Sequence, residues 1–200
     1  VIIKPIRGRG SQGVARVETY DAMVQHINEL FDSELYGDKV MIEEYLPGDE
    51  VTISVLLPGT YYNPVTHSEF VKESYWTLIP VLRTGHIGGV APYNGIVAVS
   101  KNSRVLADDE STTEMETVRE HCERAAALCN AQAIIRIDCR FDRNGKGKLF
   151  DLNMKPNMTG SGRVGRDDQD SLVAIASRGT TSVGSWNYAY LLYNMLLQEK

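Results

Sequence analysis

Residues 133–156 read AIIRIDCRFDRNGKGKLFDLNMKP. Asn144-Gly145 is a strong hairpin signal, because both residue types tolerate positive φ. A two-residue turn there sets Asp138 opposite Asp151 and Arg136 opposite Asn153. The other face then carries Ile135, Ile137, Cys139, Phe141, Phe150, Leu152 and Met154. A slip of one residue would put Phe150 and Leu152 beside Asp138 and Arg140, so the apolar pattern itself selects the register. Directly opposed side chains have Cβ atoms about 4.5–5.5 Å apart. Two carboxylates at that spacing repel unless a cation joins them, and Asn153 adds a neutral oxygen one step along the same face. Asp138, Asp151 and Asn153 suit a hard ion, Mg²⁺ or Mn²⁺, that keeps positions open for phosphate oxygens. On these residues alone, a solvated face neutralised by Arg136 and Arg140 is an equal reading.

The chain opens with VIIKPIRGRGSQGV. Lys4 alternates with Ile3 and Pro5, so it points off one face of a strand over 1–5. The loop at 6–13, with Gly10, Ser11, Gln12 and Gly13, exposes backbone N–H groups that can cradle phosphate. Arg7 and Arg9 add positive charge. GxxxxGK[ST] is absent and no helix begins at the last glycine, so this is not the Walker arrangement. A flexible hairpin loop is the plain alternative. In MIEEYLPGDEVTISVL, residues 41–56, Glu43, Glu44 and Glu50 flank a Pro-Gly-Asp turn. A carboxylate can accept both hydroxyls of a ribose, and strand-edge backbone can read an adenine edge; an exposed acidic hairpin is the alternative.

Between these stretches, periodicity predicts a strand at 14–17, a helix at about 20–33 and a hairpin of 39–46 with 50–57. WTLIPVLR (76–83) and GIVAVS (95–100) read as strands around the loop TGHIGGVAPYN (84–94), whose His86 reads as an ordinary loop histidine in preference to an acid/base group. Ser111 with Glu114 forms a capping box for a helix to about 130. Its buried stripe is Met115, Val118, Cys122, Ala125 and Cys129. Residues 155–184 are mostly loop around an apolar piece at 172–176, and Ser185 caps a helix at 186–198. The mixture, with several antiparallel signals, makes the class α+β.

Bulk properties narrow the function. Apolar residues are 42% and charged residues 24%, an ordinary globular balance. A net charge of −5 argues against a general nucleic-acid or membrane-surface role. No apolar run is long enough for a bilayer, and no signal peptide is visible. Three cysteines without CxxC spacing read as small buried hydrophobes in a reducing, cytoplasmic setting. The chain begins inside a strand without Met, so a fragment of a longer protein is expected.

Taken in order, the three stretches resemble the ATP-grasp superfamily, nearest its D-alanine–D-alanine ligase branch. IIKPIRGRGSQGV is similar to that family's phosphate-loop block, EEYLPGDE to its adenine and ribose block, and RIDCRFDRNGKGKLFDLNMKP to its metal block. The likeness covers about residues 1–160. It implies two α+β subdomains gripping ATP: a small lid at 1–57 and a large subdomain at 58–200, with the family's N-terminal domain absent. It implies that Lys4 meets ATP phosphates and that Ser11 and its neighbours form the closing loop. It implies that Glu43 and the backbone around Leu46 meet adenine, with Glu44 beside them, and that Glu50 meets ribose. Asp138, Asp151 and Asn153 would hold Mg²⁺, Arg136 would stabilise a developing oxyanion, and Arg83 would be a further phosphate contact.

The implied chemistry is ATP-driven ligation of a small carboxylate to an amine-type or thiol acceptor through an acyl phosphate. The implied partners are small molecules and the chain's own missing domain, with no nucleic acid or membrane, and an oligomer is compatible. Two further readings keep the fold: a non-catalytic ATP-binding module, and bicarbonate activation of the biotin-carboxylase type. Departures bear on the acceptor. Asp151 stands where the family usually has Glu, Asn157 replaces a glycine, and Gly162 falls near the place of a serine that holds the acceptor's carboxylate. Arg163 is a substitute for that role.

Overall fold

The computed structural model describes residues 1–8, 10–92, 98–161, 164–165, 169–180 and 187–198. Arg9, Gly162, Arg163 and Ser185 lie outside them. The first unit is a three-stranded antiparallel sheet of β1 (Ile2–Pro5), β2 (Ala15–Arg16) and β3 (Val40–Glu43), ordered β2-β1-β3. Helix α1 (Tyr20–Asp32) covers it, its start capped by Thr19, whose hydroxyl accepts the Ala22 N–H. Ile3, Val17 and Leu30 are buried between sheet and helix.

A six-stranded antiparallel sheet forms the second unit. Its strands are β4 (Glu50–Leu56), β7 (Trp76–Thr77), β8 (Val81–Arg83), β9 (Ser103–Val105), β10 (Ile135–Phe141) and β11 (Gly147–Asn153). The order is β11-β10-β4-β8-β9, with β7 also on β4. A separate hairpin, β5 (Gly59–Asn63) with β6 (Ser68–Lys72), packs on the C-terminal helix. Helix α2 (Thr113–Leu128) lies on one face of the sheet. Val118, Cys122 and Ala126 meet Val51, Ile53, Ile135 and Ile137 in one core. Helices α3 (Leu172–Gly179) and α4 (Tyr188–Gln198) build a second core with Leu56, Trp76, Leu78 and Val81. No described helix is long and apolar enough to cross a membrane.

The predicted hairpin of 39–46 with 50–57 does not form. β3 pairs with β1, and β4 pairs with β10, β7 and β8, so the chain crosses from one sheet to the other at residues 44–49. Gly48 is fixed to the end of β10, its N–H donating to the Phe141 carbonyl at 2.9 Å. β4 thus belongs to the larger sheet, although the sequence grouped it with residues 1–57. Within 76–83, Pro80 removes a ladder donor and splits the run into β7 and β8. Val99–Lys101 is a 3₁₀ turn rather than strand, and residues 95–97 lie outside the described part.

The helix cap shifts by one residue: Thr112, not Ser111, accepts from Met115 N–H, while Glu114 accepts the Gly147 N–H at 3.0 Å. Cys129 is exposed at the C-cap, off the buried stripe, whereas Cys122 and Cys139 are buried and all three are free.

Glycine is required where β11 meets α2. A Cβ on Gly147 would lie 2.0 Å from Val118 Cγ2. Gly147→Ala must therefore push sheet and helix apart, at a cost of about 1–3 kcal/mol. The expected result is a lower thermal midpoint; an unchanged midpoint would show that this contact yields freely.

Candidate nucleotide and metal site

Period-two alternation builds the site's floor. Val51, Ile53, Ile135, Ile137 and Cys139 turn towards α2, so the residues between them turn to the opposite face. Register then aligns Glu50 with Arg140, Thr52 with Asp138 and Ser54 with Arg136. On one side β11 sets Asp151 opposite Asp138 and Asn153 opposite Arg136. On the other, β8 sets Arg83 opposite Glu50.

The opposition of the two aspartates arises by a different route from the one the sequence suggested. The turn is a three-residue loop, not a two-residue one. Asp142 N–H donates to the Lys146 carbonyl at 2.8 Å, and Gly145 takes the left-handed conformation at φ 73°. That shifts pairing near the turn, where Cys139 faces Leu149. An irregularity between Asp138 and Cys139 on β10, opposite Phe150, restores the expected pairing at Asp138 and Asp151. The same bulge reverses Phe150: Leu149 packs on the core, and Phe150 faces the cavity with Lys4 Nζ 5.7 Å from its ring centroid. Leu152 and Met154 are exposed rather than buried.

A cavity of about 260 Å³ lies over this floor. Lys4, Gly10 and Ser11 reach it from β1 and the glycine loop. Glu43, Glu44 and Leu46 reach it from β3 and the crossing segment. Glu50, Arg83, Arg136, Asp138 and Asp151 reach it from the larger sheet. Gln12, Gly13 and Asn153 are not among its lining residues. Gly13 instead packs inward: its φ is +74°, and a Cβ there would lie 2.9 Å from both Leu30 and Pro5. Asn153 Oδ1 accepts the Lys155 N–H at 3.0 Å.

Charge in the cavity is locally paired. Lys4 Nζ is 2.6 Å from Glu43 Oε2. Asp138 accepts from Thr52 Oγ1 at 2.7 Å and from Arg136 Nη2 at 3.1 Å. Asp151 has its carboxyl pushed above the usual range, first by burial and then by Asp138; Arg136 and Lys4 oppose this. The residue is exposed along one side, but the cleft wall desolvates the carboxyl. Burial lowers the Arg83 pKa, against the pull of Glu50 and Asp138. Arg83 Nε and Arg136 Nε are buried without a partner among the described residues.

These residues fit a hard divalent ion. An unrelieved carboxylate beside a second one is stabilised by a cation, and oxygen donors are what Mg²⁺ takes. Among the described residues no three His, Cys, Asp or Glu side chains cluster as a cage. The two carboxylates that line the cavity make a sparse set, of the kind completed by water and phosphate oxygens.

Thr52, Asp170, Ser171 and Leu172 carried no assigned role in the sequence, where Arg140 was read only as a neutralising charge and His86 chiefly as a loop residue. Thr52 and Arg140 follow from the same alternation that exposed Asp138, and that signal was available. Asp170, Ser171 and Leu172 line the cavity at the start of α3, where Ser171 Oγ accepts the Ala174 N–H. A serine before an apolar run is an N-cap signal. His86 lies 2.9 Å from Glu50 Oε2, a contact across 36 residues that no local pattern announces.

A small glycine-loop sheet set against a larger antiparallel sheet, with the cavity between them, is the ATP-grasp fold. Residues 1–167 match the family model of the D-ala D-ala ligase C-terminus, and the chain belongs to that family. Solved structures similar to it include the D-alanine–D-alanine ligase of Bacillus anthracis complexed with ATP, at TM-score 0.62 and 16% identity over 98% of this chain and 49% of that one. The ligase of Coxiella burnetii gives TM-score 0.65 and 15% identity over 98% of this chain and 44% of that one. The VanG D-Ala:D-Ser ligase of Enterococcus faecalis gives TM-score 0.65 and 14% identity over 98% and 48%. At such identities the likeness speaks to fold alone, and the chain spans about half the length of these proteins. No curated protein matches it.

Proposed function

We propose that this chain is the nucleotide- and metal-binding part of an ATP-dependent ligase that joins a small carboxylate to an amine-type or thiol acceptor. The observation that carries this reading is the convergence of Lys4, Ser11, Glu50, Arg136, Asp138 and Asp151, from both sheets, on one cavity. Family membership supports the same reaction class. The two gripping units meet at residues 44–49, where the chain changes sheet.

Lys4 and the backbone of the glycine loop bind phosphates, and Lys4 exchanges Glu43 for them. Glu43 and the backbone near Leu46 hold the base, with Glu44 at the rim, and Glu50 accepts the ribose hydroxyls. Asp138, Asp151 and Asn153 would hold Mg²⁺, which when bound offsets phosphate charge. In the first half-reaction a substrate carboxylate oxygen attacks the γ-phosphorus and ADP leaves, giving an acyl phosphate. In the second, the acceptor attacks the acyl carbon, loses a proton, and inorganic phosphate leaves. Arg136 and Arg83, each with a buried Nε that has no partner among the described residues, stabilise the negative charge that develops on oxygen in both steps. Most of the rate enhancement comes from positioning and fixed charge.

Phosphate release from ATP, screened against amino acids and bicarbonate, tests the reaction class. Stimulation by an amino acid supports ligation, stimulation by bicarbonate redirects it, and ATP binding without stimulation leaves a binding module. Lys4→Ala is expected to weaken Mg-ATP about 10–100-fold, the worth of a charge-assisted phosphate contact. Its partly exposed pairing with Glu43 adds little to stability, so the thermal midpoint stays close to wild type. An unchanged dissociation constant by calorimetry would remove Lys4 from the phosphate site.

A further inference from the structure

We infer that His86 is the positioning residue that aims Glu50 at the ribose of a nucleoside triphosphate, and that it thereby sets discrimination between ribo- and deoxyribonucleotides. This rests on the nucleotide reading above.

Glu50 begins β4, lines the cavity and is only 8% exposed. A carboxylate so enclosed reads a ligand only if its rotamer is held. Among the described residues two groups hold it, and both act on one oxygen. His86 Nε2 lies 2.9 Å from Glu50 Oε2, and Arg140 Nη1 lies 3.6 Å from the same atom. Arg140 has shorter bonds elsewhere: Nη1 donates to the Gly89 carbonyl at 2.6 Å and Nε to the Gly48 carbonyl at 3.1 Å. His86 is therefore the direct partner of Oε2. An ionised carboxylate only accepts, so Nε2 carries the proton. Among the described residues no hydrogen bond reaches Oε1, which is left for a ligand hydroxyl.

The loop that brings His86 is built to hold it there. Gly85, Gly88 and Gly89 take φ values of 68°, 59° and 82°, and Ile87 bridges to Val90, so the chain turns sharply just past the imidazole. Gly89 sits against Tyr45, where a Cβ would meet the hydroxyl at 2.8 Å. The Arg140 bond to Gly89 fastens this turn to β10, and Val90, Ala91 and Pro92 continue as cavity wall. His86 and the wall are parts of one fixed element.

The consequence is specificity. A vicinal diol satisfies the free side of a carboxylate fixed in this way. A nucleotide lacking the hydroxyl that meets Oε1 leaves that enclosed acceptor unpaired, which is penalised far more than a lost surface bond. Without His86, Glu50 rotates to other partners, Arg83 and Arg140 among them, and the missing hydroxyl matters less.

Calorimetric titration with Mg-ATP, Mg-2′-deoxyATP and Mg-3′-deoxyATP tests this on the chain and two variants. His86→Leu keeps bulk and removes the donor; His86→Gln keeps a donor. Both fall on a loop outside the three cores. The wild type is expected to prefer ATP over at least one deoxynucleotide by about tenfold, which is about 1.4 kcal/mol. His86→Leu is expected to reduce that preference to about threefold or less, and His86→Gln to retain most of it. Equal preference in wild type and His86→Leu overturns the inference, as does a uniform loss for all three nucleotides in both variants, which marks a structural role only. If the wild type binds no Mg-ATP, the nucleotide reading falls and takes this inference with it. If it binds Mg-ATP with an unaltered preference in His86→Leu, only the role of His86 falls.

Discussion

Asp138→Asn is expected to abolish the Mg²⁺ dependence of ATP binding and to weaken Mg-ATP by at least about 100-fold. Losing a group that merely orients a metal ligand costs about 10–100-fold in metal affinity, so losing the ligand's charge costs more. The variant should fold. Asparagine keeps an oxygen to accept from Thr52 Oγ1, now at 2.7 Å, and keeps the side-chain volume between β4 and β10. What it loses is the anion that meets Arg136 Nη2 at 3.1 Å. That largely buried pair leaves Arg136 without its counter-charge when broken, at a cost of about 1–3 kcal/mol, several degrees in melting temperature for a domain of this size. Titrating ATP with Mg²⁺ and again with chelator, for wild type and variant, separates the two effects. A wild-type ratio between the two titrations would remove Asp138 from the metal site.

Legibility in the sequence divided by range. The opposition of Asp138 and Asp151 was legible because one strong turn signal and an apolar face fix a register locally. Even there, the two-residue turn was wrong, and the irregularity opposite Phe150 compensated for it. A bulge leaves no mark in a pattern whose neighbours, Leu149 and Phe150, are both large and apolar. The glycine loop and the acidic run were legible as candidates for the cavity wall, because residue types alone limit what can meet phosphate or a diol.

Strand pairing was not legible. β3 and β4 are separated by a Pro-Gly-Asp turn that suits a hairpin equally well, and only the long-range partners Ile3 and Ile137 decide that they part. The same limit hid His86. Its contact with Glu50 depends on where a glycine-rich loop lands, and backbone freedom at Gly85, Gly88 and Gly89 carries no information about destination. Ser171 was legible as a helix cap but not as a wall of the cavity, since its place depends on the path of the loop before it.

Asp151→Asn is expected to act in opposite directions on stability and on binding. Without metal, Asp151 faces Asp138 directly, and its carboxyl is held above its ordinary range by burial and by that neighbour. A carboxyl whose pKa is higher folded than unfolded binds more protons in the folded state across the window between the two values. Stability then falls as pH rises through that window. At neutral pH the metal-free chain carries the whole penalty. Removing one of two opposed like charges relieves a few tenths of a kcal/mol, so Asp151→Asn should raise the metal-free melting temperature by about 1–2 °C. The gain should vanish at acid pH, where wild-type Asp151 is protonated. With Mg²⁺ and ATP present the order reverses. The wild type gains stability by mass action from the ligand, while the variant, lacking one of two anionic donors, gains little. Thermal melts at neutral and acid pH, each with and without Mg-ATP, give four comparisons. If Asp151→Asn melts lower than wild type in chelator at neutral pH, the repulsion between Asp138 and Asp151 is not what governs this pair. If it keeps the full Mg-ATP stabilisation, Asp151 is not a metal ligand.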